Sequence, residues 1–174
     1  AARRKRKDIR FLRGDMRKLP FEGEFDAVIN WFSSFGYFDS AGNLATARAA
    51  LAALKLGGRF LIEMLNKSWM LSNFRTDHDE TICGVRIVSH AQWDKRTSRV
   101  CNIWTMSRGR MRRTCRFSHC LYTGRELRAL LRAAGFVDIR FWGHTPRGVE
   151  RFTRHSRRFI VIARRPRNMN RRTP

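Results

Sequence analysis

The spacing of apolar residues divides the chain into recognisable pieces. Phe25 to Phe32 (FDAVINWF) and Phe60 to Leu65 (FLIEML) are nearly continuous apolar runs. That pattern predicts strands buried on both faces, as in a parallel sheet. Phe159 to Ala163 (FIVIA) predicts another. Upstream, Ile9 to Arg13 reads as a short strand ended by Gly14-Asp15, and Leu19 to Gly23 as a loop punctuated by proline and glycine. Residues 40–56 predict a helix. Leu44, Leu51 and Leu54 share one face, Asp39 or Ser40 caps the start, and Gly57-Gly58 stops the end.

The period changes after residue 79. Val85, Ile87, Ser89, Ala91 and Trp93 alternate with Arg86, Val88, His90, Gln92 and Asp94. Residues 85–94, 99–106 and 111–120 predict three antiparallel strands joined too tightly for crossover helices. The α/β pattern then resumes. Thr123-Gly124-Arg125-Glu126 is a capping box, Leu127, Leu130, Leu131 and Ala134 form a helical face, and Gly135 closes it. Phe136 to Trp142 reads as a strand, and residues 143–156 as a polar loop. Residues 164–174 form a basic tail without apolar period, expected to be disordered. No internal repeat is visible.

Composition narrows the function classes. The chain has 174 residues, 43% of them hydrophobic and 11% aromatic, which supports a core and excludes a wholly disordered protein. No apolar run reaches the roughly 18–20 residues of a membrane-spanning helix, so no membrane partner is expected. Ala1 to Lys7 is basic but leads into Asp8 with no apolar signal core, which points to the cytoplasm. The formal charge is +23. Such a surplus suits nucleic acid, a membrane surface or an acidic substrate. Of the 37 basic residues only six are lysine, and the other 31, all arginine, are spread through every segment. Compositional bias is therefore favoured over dedicated nucleic-acid binding, since charge alone carries no specificity. Cys83, Cys101, Cys115 and Cys120 form no C-x-x-C pair. Cys115, His119 and Cys120 match no zinc spacing, so reduced thiols and no metal are expected. Nothing in the sequence specifies an oligomeric state.

Four segments, in order, resemble the second half of a class I S-adenosylmethionine-dependent methyltransferase. Gly14-Asp15-Met16-Arg17, followed by Leu19-Pro20-Phe21, resembles the segment after that family's third strand. Phe25-Asp26-Ala27-Val28 resembles the opening of its fourth strand. Leu54 to Phe60 (LKLGGRF) resembles the turn before the fifth. Tyr122 to Leu127, with Ala134-Gly135-Phe136, resembles a later helix and strand. Together they cover most of residues 8–163, and Trp31 to Phe38 with the antiparallel insert look most like the small-molecule members, including amino-sugar N-methyltransferases.

The resemblance implies an α/β, Rossmann-like sheet, N-terminally incomplete, with an antiparallel insert after the fifth strand. Residues 1–163 would form a partial methyltransferase domain, and 79–122 would cover the substrate. The family's opening signature is a glycine-rich turn that lets backbone approach the cofactor. No G-x-G occurs here, so the chain reads as a C-terminal portion. Residues 1–7 then read as the end of a helix. The family's first and second strands lie between its third and fourth, so residues 9–13 and 25–31 would lack neighbours. Weak cofactor binding and marginal solubility are the expected result.

By the same resemblance S-adenosylmethionine is the cofactor. Asp15 would accept from the adenine amino group, and the N–H of Met16 would reach the ring; a turn-capping aspartate is the structural alternative. Asn30 would face the methionine part, or simply bond backbone. Trp31 and Phe32 would wall the methyl-transfer site, and Phe35, Tyr37, Phe38 and Asn66 would meet a small-molecule substrate. Glu63 interrupts an apolar strand, and a buried carboxylate there needs something to satisfy it. That is either a substrate amine or hydroxyl, or a salt bridge to an arginine. His90, His119 and Tyr122 are candidate bases, although methyl transfer to an amine requires none. The expected activity is methyl transfer to a small-molecule N or O acceptor, impaired in this chain. An RNA methyltransferase, or a non-catalytic basic nucleic-acid-binding protein on a degenerate frame, are the alternatives.

Overall fold

A computed structural model describes residues 9–168. Nine strands and three helices run in the order β1 (Phe25–Asn30), α1 (Ser40–Ala53), β2 (Leu54–Leu65), α2 (Lys67–Ser72), β3 (Asp77–Ile82), β4 (Val85–Asp94), β5 (Arg99–Arg108), β6 (Met111–Cys120), α3 (Gly124–Ala134), β7 (Val137–Thr145), β8 (Gly148–Arg151) and β9 (Arg158–Arg164). They build two sheets, ordered β1-β2-β9-β7-β8 and β3-β4-β5-β6. β1 and β2 are parallel; β9 runs antiparallel to both β2 and β7. No described helix is long and apolar enough to cross a membrane.

The core lies between the larger sheet and α1 with α3. Phe60, Ile62, Met64, Phe159 and Val161 from β2 and β9 meet Leu127 and Leu131 of α3, all essentially inaccessible. Phe60 stacks on Phe136 with centroids 5.5 Å apart. The buried face of α1 is small, Gly42, Thr46, Ala47, Ala50 and Ala53, while Leu44 and Leu51 are only partly buried. Small residues let α1 sit close on the sheet. A smaller cluster of Met70, Val100 and Leu121, with Trp69 and Trp93 packed against it, joins α2 to the meander.

Several sequence expectations need correction. Residues 9–13 form no strand, because no described strand lies beside them to supply ladder bonds. β1 stands at the edge of its sheet, as expected, but is not buried on both faces: Ile29 is 64% exposed. Helix α1 stops at Ala53, not at Gly57-Gly58. The N–H of Gly57 donates to the carbonyl of Arg165 and that of Arg165 to Gly58, drawing 54–58 into β2. The meander has four strands over 77–120. Cys83 and Gly84 both have positive φ, the signature of a two-residue hairpin turn, and this folds the acidic β3 onto β4. The polar loop 143–156 contains β8, paired with β7. Arg164 and Arg165 are part of the fold, not of a disordered tail; the Arg165 guanidinium reaches the carbonyls of Leu51, Ala52 and Leu54. The expected helix end at 1–7 and the tail from 169 onward lie outside the described residues. Helix α3 has the expected capping box and left-handed Gly135.

Candidate functional site

The carboxyl ends of β1 and β2 lie side by side, since Asn30 is in register with Ile62. Ligands of open α/β sheets bind at that edge. The chain leaves β1 through a tight loop, in which Phe32 and Ser33 both adopt φ of 55°. Left-handed backbone is costly for a phenylalanine and persists only where the surroundings hold it. Here the surroundings are Glu63. Its Oε2 accepts from the Phe32 N–H at 3.0 Å, and its backbone carbonyl accepts from the Ser33 N–H.

Glu63 is 1% exposed. The Arg158 guanidinium grips both its oxygens, with Nη2 2.9 Å from Oε2, and donates to Ser33 Oγ at 2.8 Å. His144 Nδ1 lies 3.2 Å from Oε1, and its ring packs against Trp31. Burial pushes the Glu63 carboxyl up, but the Arg158 and His144 hydrogen bonds and charges outweigh it and hold the group below the usual range. The salt-bridge alternative is therefore the observed one, and Glu63 has no free oxygen for a substrate. It supports the loop that carries Trp31 and Phe32.

Asp15 is likewise a turn aspartate here. Its carboxylate accepts from the backbone and guanidinium of Arg17, which lowers its pKa to about 2. The same guanidinium lies 4.3 Å above the Phe38 ring, so it fastens the Gly14–Lys18 turn to the loop after β1. A cleft of about 730 Å³ runs along this segment, walled by Leu12, Met16, Leu19, Pro20 and Phe21, with Asp15 at its margin.

Asn30 carries a different signal. Its Oδ1 is buried and accepts no hydrogen bond. An unsatisfied buried carbonyl oxygen is costly and calls for a ligand or a role. His119 Nδ1 is the only other such side-chain atom among the described residues. The His119 ring lies on β6 between Phe117 and Tyr37, 6.3 and 5.7 Å from their centroids. Burial, with the charges of Arg99 and Arg158, lowers its pKa and keeps the imidazole neutral near pH 7. Tyr122 goes the other way. Burial raises its phenol to about 12, and its oxygen accepts from Asn43 Nδ2 at 2.9 Å. A phenol that stays protonated donates hydrogen bonds and is no base. His90 sits on β4 paired with Asp77.

Two proposed substrate contacts are structural. Phe35 is wholly buried in the core. Asn66 is also inaccessible: it caps α2 and its amide donates to the carbonyls of Arg154 and Ser156. Tyr37, 45% exposed, remains accessible, and Phe38 is half-buried under Arg17.

Arg99 does not stand out in the sequence, one arginine among 31. Its guanidinium donates to the carbonyls of Tyr37, Phe38 and Ser118, so the post-β1 loop is stapled to the meander. Gly36 completes the joint. A Cβ there would stand 2.4 Å from the Cys120 carbonyl oxygen, and its φ is +109°. Arg158, His144 and Asn43 escape a sequence reading for the same reason: their partners lie 95, 81 and 79 positions away, beyond any local pattern. No group of three or more metal-binding side chains converges among the described residues.

No family model and no curated protein matches the sequence. Solved structures do match. A methyltransferase from Streptomyces caelestis is 19% identical, with TM-score 0.72 over 88% of this chain and 62% of that one. An S-adenosylmethionine-dependent methyltransferase from Clostridium acetobutylicum is 14% identical, TM-score 0.73, over 88% and 63%. An amino pentose methyltransferase from Micromonospora echinaspora, solved with the cofactor bound, is 22% identical, TM-score 0.66, over 94% and 68%. The chain thus spans a little over three fifths of the first two. The larger sheet and its helices have the Rossmann-like fold of class I methyltransferases.

Proposed function

We propose that the chain carries the acceptor side, and part of the cofactor side, of an S-adenosylmethionine-dependent methyltransferase acting on an amine of a small molecule. The observation that carries this reading is the unsatisfied Asn30 oxygen at the carboxyl edge of a methyltransferase sheet. The residues present fit the cofactor in part. Met16, Leu19 and Phe21 offer an apolar wall for a flat ring, and Asn30 offers a buried acceptor for a donor such as an α-amino group. Asp15, held by Arg17, contributes through its turn rather than through a free carboxylate. When bound, S-adenosylmethionine supplies a methyl group on a sulfonium centre.

The chain's own contribution is positioning. Trp31 and exposed Phe32 wall the edge of the sheet, fixed by Glu63 and Arg158. Tyr37 and Phe117 flank the neutral His119, whose unpartnered Nδ1 would take the proton that a substrate ammonium loses before its freed lone pair attacks the methyl carbon. Tyr122 stays protonated and orients Asn43 on α1. In-line attack gains chiefly from holding the reactants in this geometry. The neighbours named for amino-sugar substrates, the Micromonospora amino pentose enzyme and a sugar N-methyltransferase from Streptoalloteichus, support an amino sugar as the acceptor class.

Binding to this chain is expected to be weak, because the sequence has no G-x-G turn. Ligand-observed NMR with S-adenosylhomocysteine suits that regime. Saturation transfer that is lost in Asn30→Ala and kept in Arg48→Ala supports the reading. No transfer to the wild-type chain, or transfer unaffected by Asn30→Ala, overturns it.

A further inference from the structure

The β5–β6 hairpin carries a charge that the methyl-transfer site does not use. No acidic residue occurs between Asp94 and Glu126, a stretch with nine lysines and arginines. Five of them, Arg108, Arg110, Arg112, Arg113 and Arg116, lie on or beside the hairpin turn, all exposed. None makes an ion pair among the described residues, whereas Arg86, Arg140, Arg158 and Arg164 all do. Three of this sheet's acidic residues, Asp77, Asp79 and Glu80, sit on the far-edge strand β3, and Asp94 ends β4 at the end away from the hairpin turn. Asp77 and Asp79 on β3 are paired with His90 and Arg86. A general surplus of arginine does not produce this segregation.

Aromatic rings share the hairpin. The register places Trp104 opposite Cys115, Asn102 opposite Phe117 and Met106 opposite Arg113. Trp104, Arg108, Arg113 and Phe117 therefore project from one face of the sheet, with Arg110 in the turn beside them, while Arg112 and Arg116 project from the other face. Trp104 is 38% exposed and meets Phe117 edge-on at 5.1 Å. Alternate residues of a strand stand about 6.8 Å apart, close to the spacing of phosphates along an extended single strand. Rings that accept stacked bases, rimmed by guanidiniums that accept phosphates, are the two components of a single-strand binding surface. A duplex hides its bases and would make no use of the rings.

We propose that the β5–β6 hairpin, through Arg108, Arg110 and Arg113 with Trp104 and Phe117, binds single-stranded nucleic acid. This surface shares Phe117 with the proposed acceptor side, but its argument uses neither cofactor nor methyl transfer, so it stands if that reading fails. RNA and DNA single strands share the recognised chemistry, so both enter the test.

The experiment is fluorescence anisotropy of the full chain with fluorescein-labelled U12 and dT12, titrated from 50 to about 300 mM NaCl. One variant replaces Arg108, Arg110 and Arg113 by serine. A second replaces Arg112 and Arg116 on the opposite face and should bind nearly as the wild type does. A control replaces the exposed Arg48, Arg59, Arg75, Arg132 and Arg147. The first variant should bind at least tenfold more weakly at 100 mM salt. Its log–log salt slope should flatten by about 2, since each phosphate contact on a single strand contributes roughly 0.7. The control should keep most of both. Trp104→Ala should weaken binding about tenfold with the slope unchanged, the mark of a lost stack rather than a lost charge. Circular dichroism of each variant confirms the fold. Equal losses in the first variant and in either the opposite-face or the control variant, or full affinity in a folded Trp104→Ala, overturn the proposal and leave only diffuse polyanion attraction.

Discussion

Replacing Arg158 by methionine tests the reading of Glu63 most directly. Glu63 is 1% exposed, and Arg158 supplies two of the groups that satisfy its carboxylate. Removing one partner of a buried ion pair typically costs about 3–5 kcal/mol, because the other charge is left stranded. Arg158 is 30% exposed, and the Phe32 N–H and His144 remain, so a smaller cost applies, about 2–3 kcal/mol. For a chain of this size that lowers Tm by roughly 5–10 °C. The dependence on pH is more diagnostic than the size. In the wild type the folded carboxyl lies below its ordinary 4.5. Its stabilisation is complete above 4.5 and is lost as pH falls through the folded value. Without Arg158 burial dominates and the folded pKa rises above 4.5. The variant then loses stability as pH climbs through that range. The gap between wild type and variant should therefore widen from pH 4 to pH 7. Glu63→Gln combined with Arg158→Met should recover much of the loss, since no charge is stranded. Thermal melts by circular dichroism across that pH range are sufficient. A penalty below 1 kcal/mol, or one flat from pH 4 to 7, would refute the argument.

Three further outcomes follow from the same geometry. Gly36→Ala should destabilise the chain by at least about 2 kcal/mol, because a Cβ meets the Cys120 carbonyl at 2.4 Å and φ is left-handed; a melt showing no change would contradict the joint between loop and meander. Thr123→Ala should cost about 1 kcal/mol by opening the capping box with Glu126, read as a Tm fall of a few degrees. The chain has two tyrosines. Ultraviolet titration should show Tyr122 ionising near pH 12, and Tyr122→Phe should abolish that late step.

Local chemistry is legible in the sequence and distant chemistry is not. The α3 boundaries are written in Thr123, Glu126 and Gly135, residues that satisfy the helix ends within one turn. The apolar runs of β2 and β9 announce their burial. The end of α1 is misleading in sequence because a ladder to Arg165, over a hundred residues away, captures Gly57 and Gly58. β3 escapes notice because DHDETI has no alternation to read, its pairing set by the Cys83-Gly84 turn and by cross-strand charge. In the proposed site, Asn30, Trp31, Tyr37 and His119 are candidates from position and residue type alone. Whether Glu63 faces a ligand or an arginine is not, since only the folded sheet brings β9 beside β2. The same holds for Asn66, whose amide finds its carbonyls some 90 residues on.

Among the described residues β1 bonds to β2 on one side only. In a parallel pair alternate residues turn their amides toward the partner and the others away, so about half of the β1 N–H groups face outward. Those amides should trade hydrogen for deuterium at nearly the rate of an unstructured peptide, while their neighbours in the same strand, and all of central β9, exchange slowly. The strand therefore carries an internal isotope clock with its own reference. A molecule that docks along the open side, leaving everything else in place, would slow only every second tick.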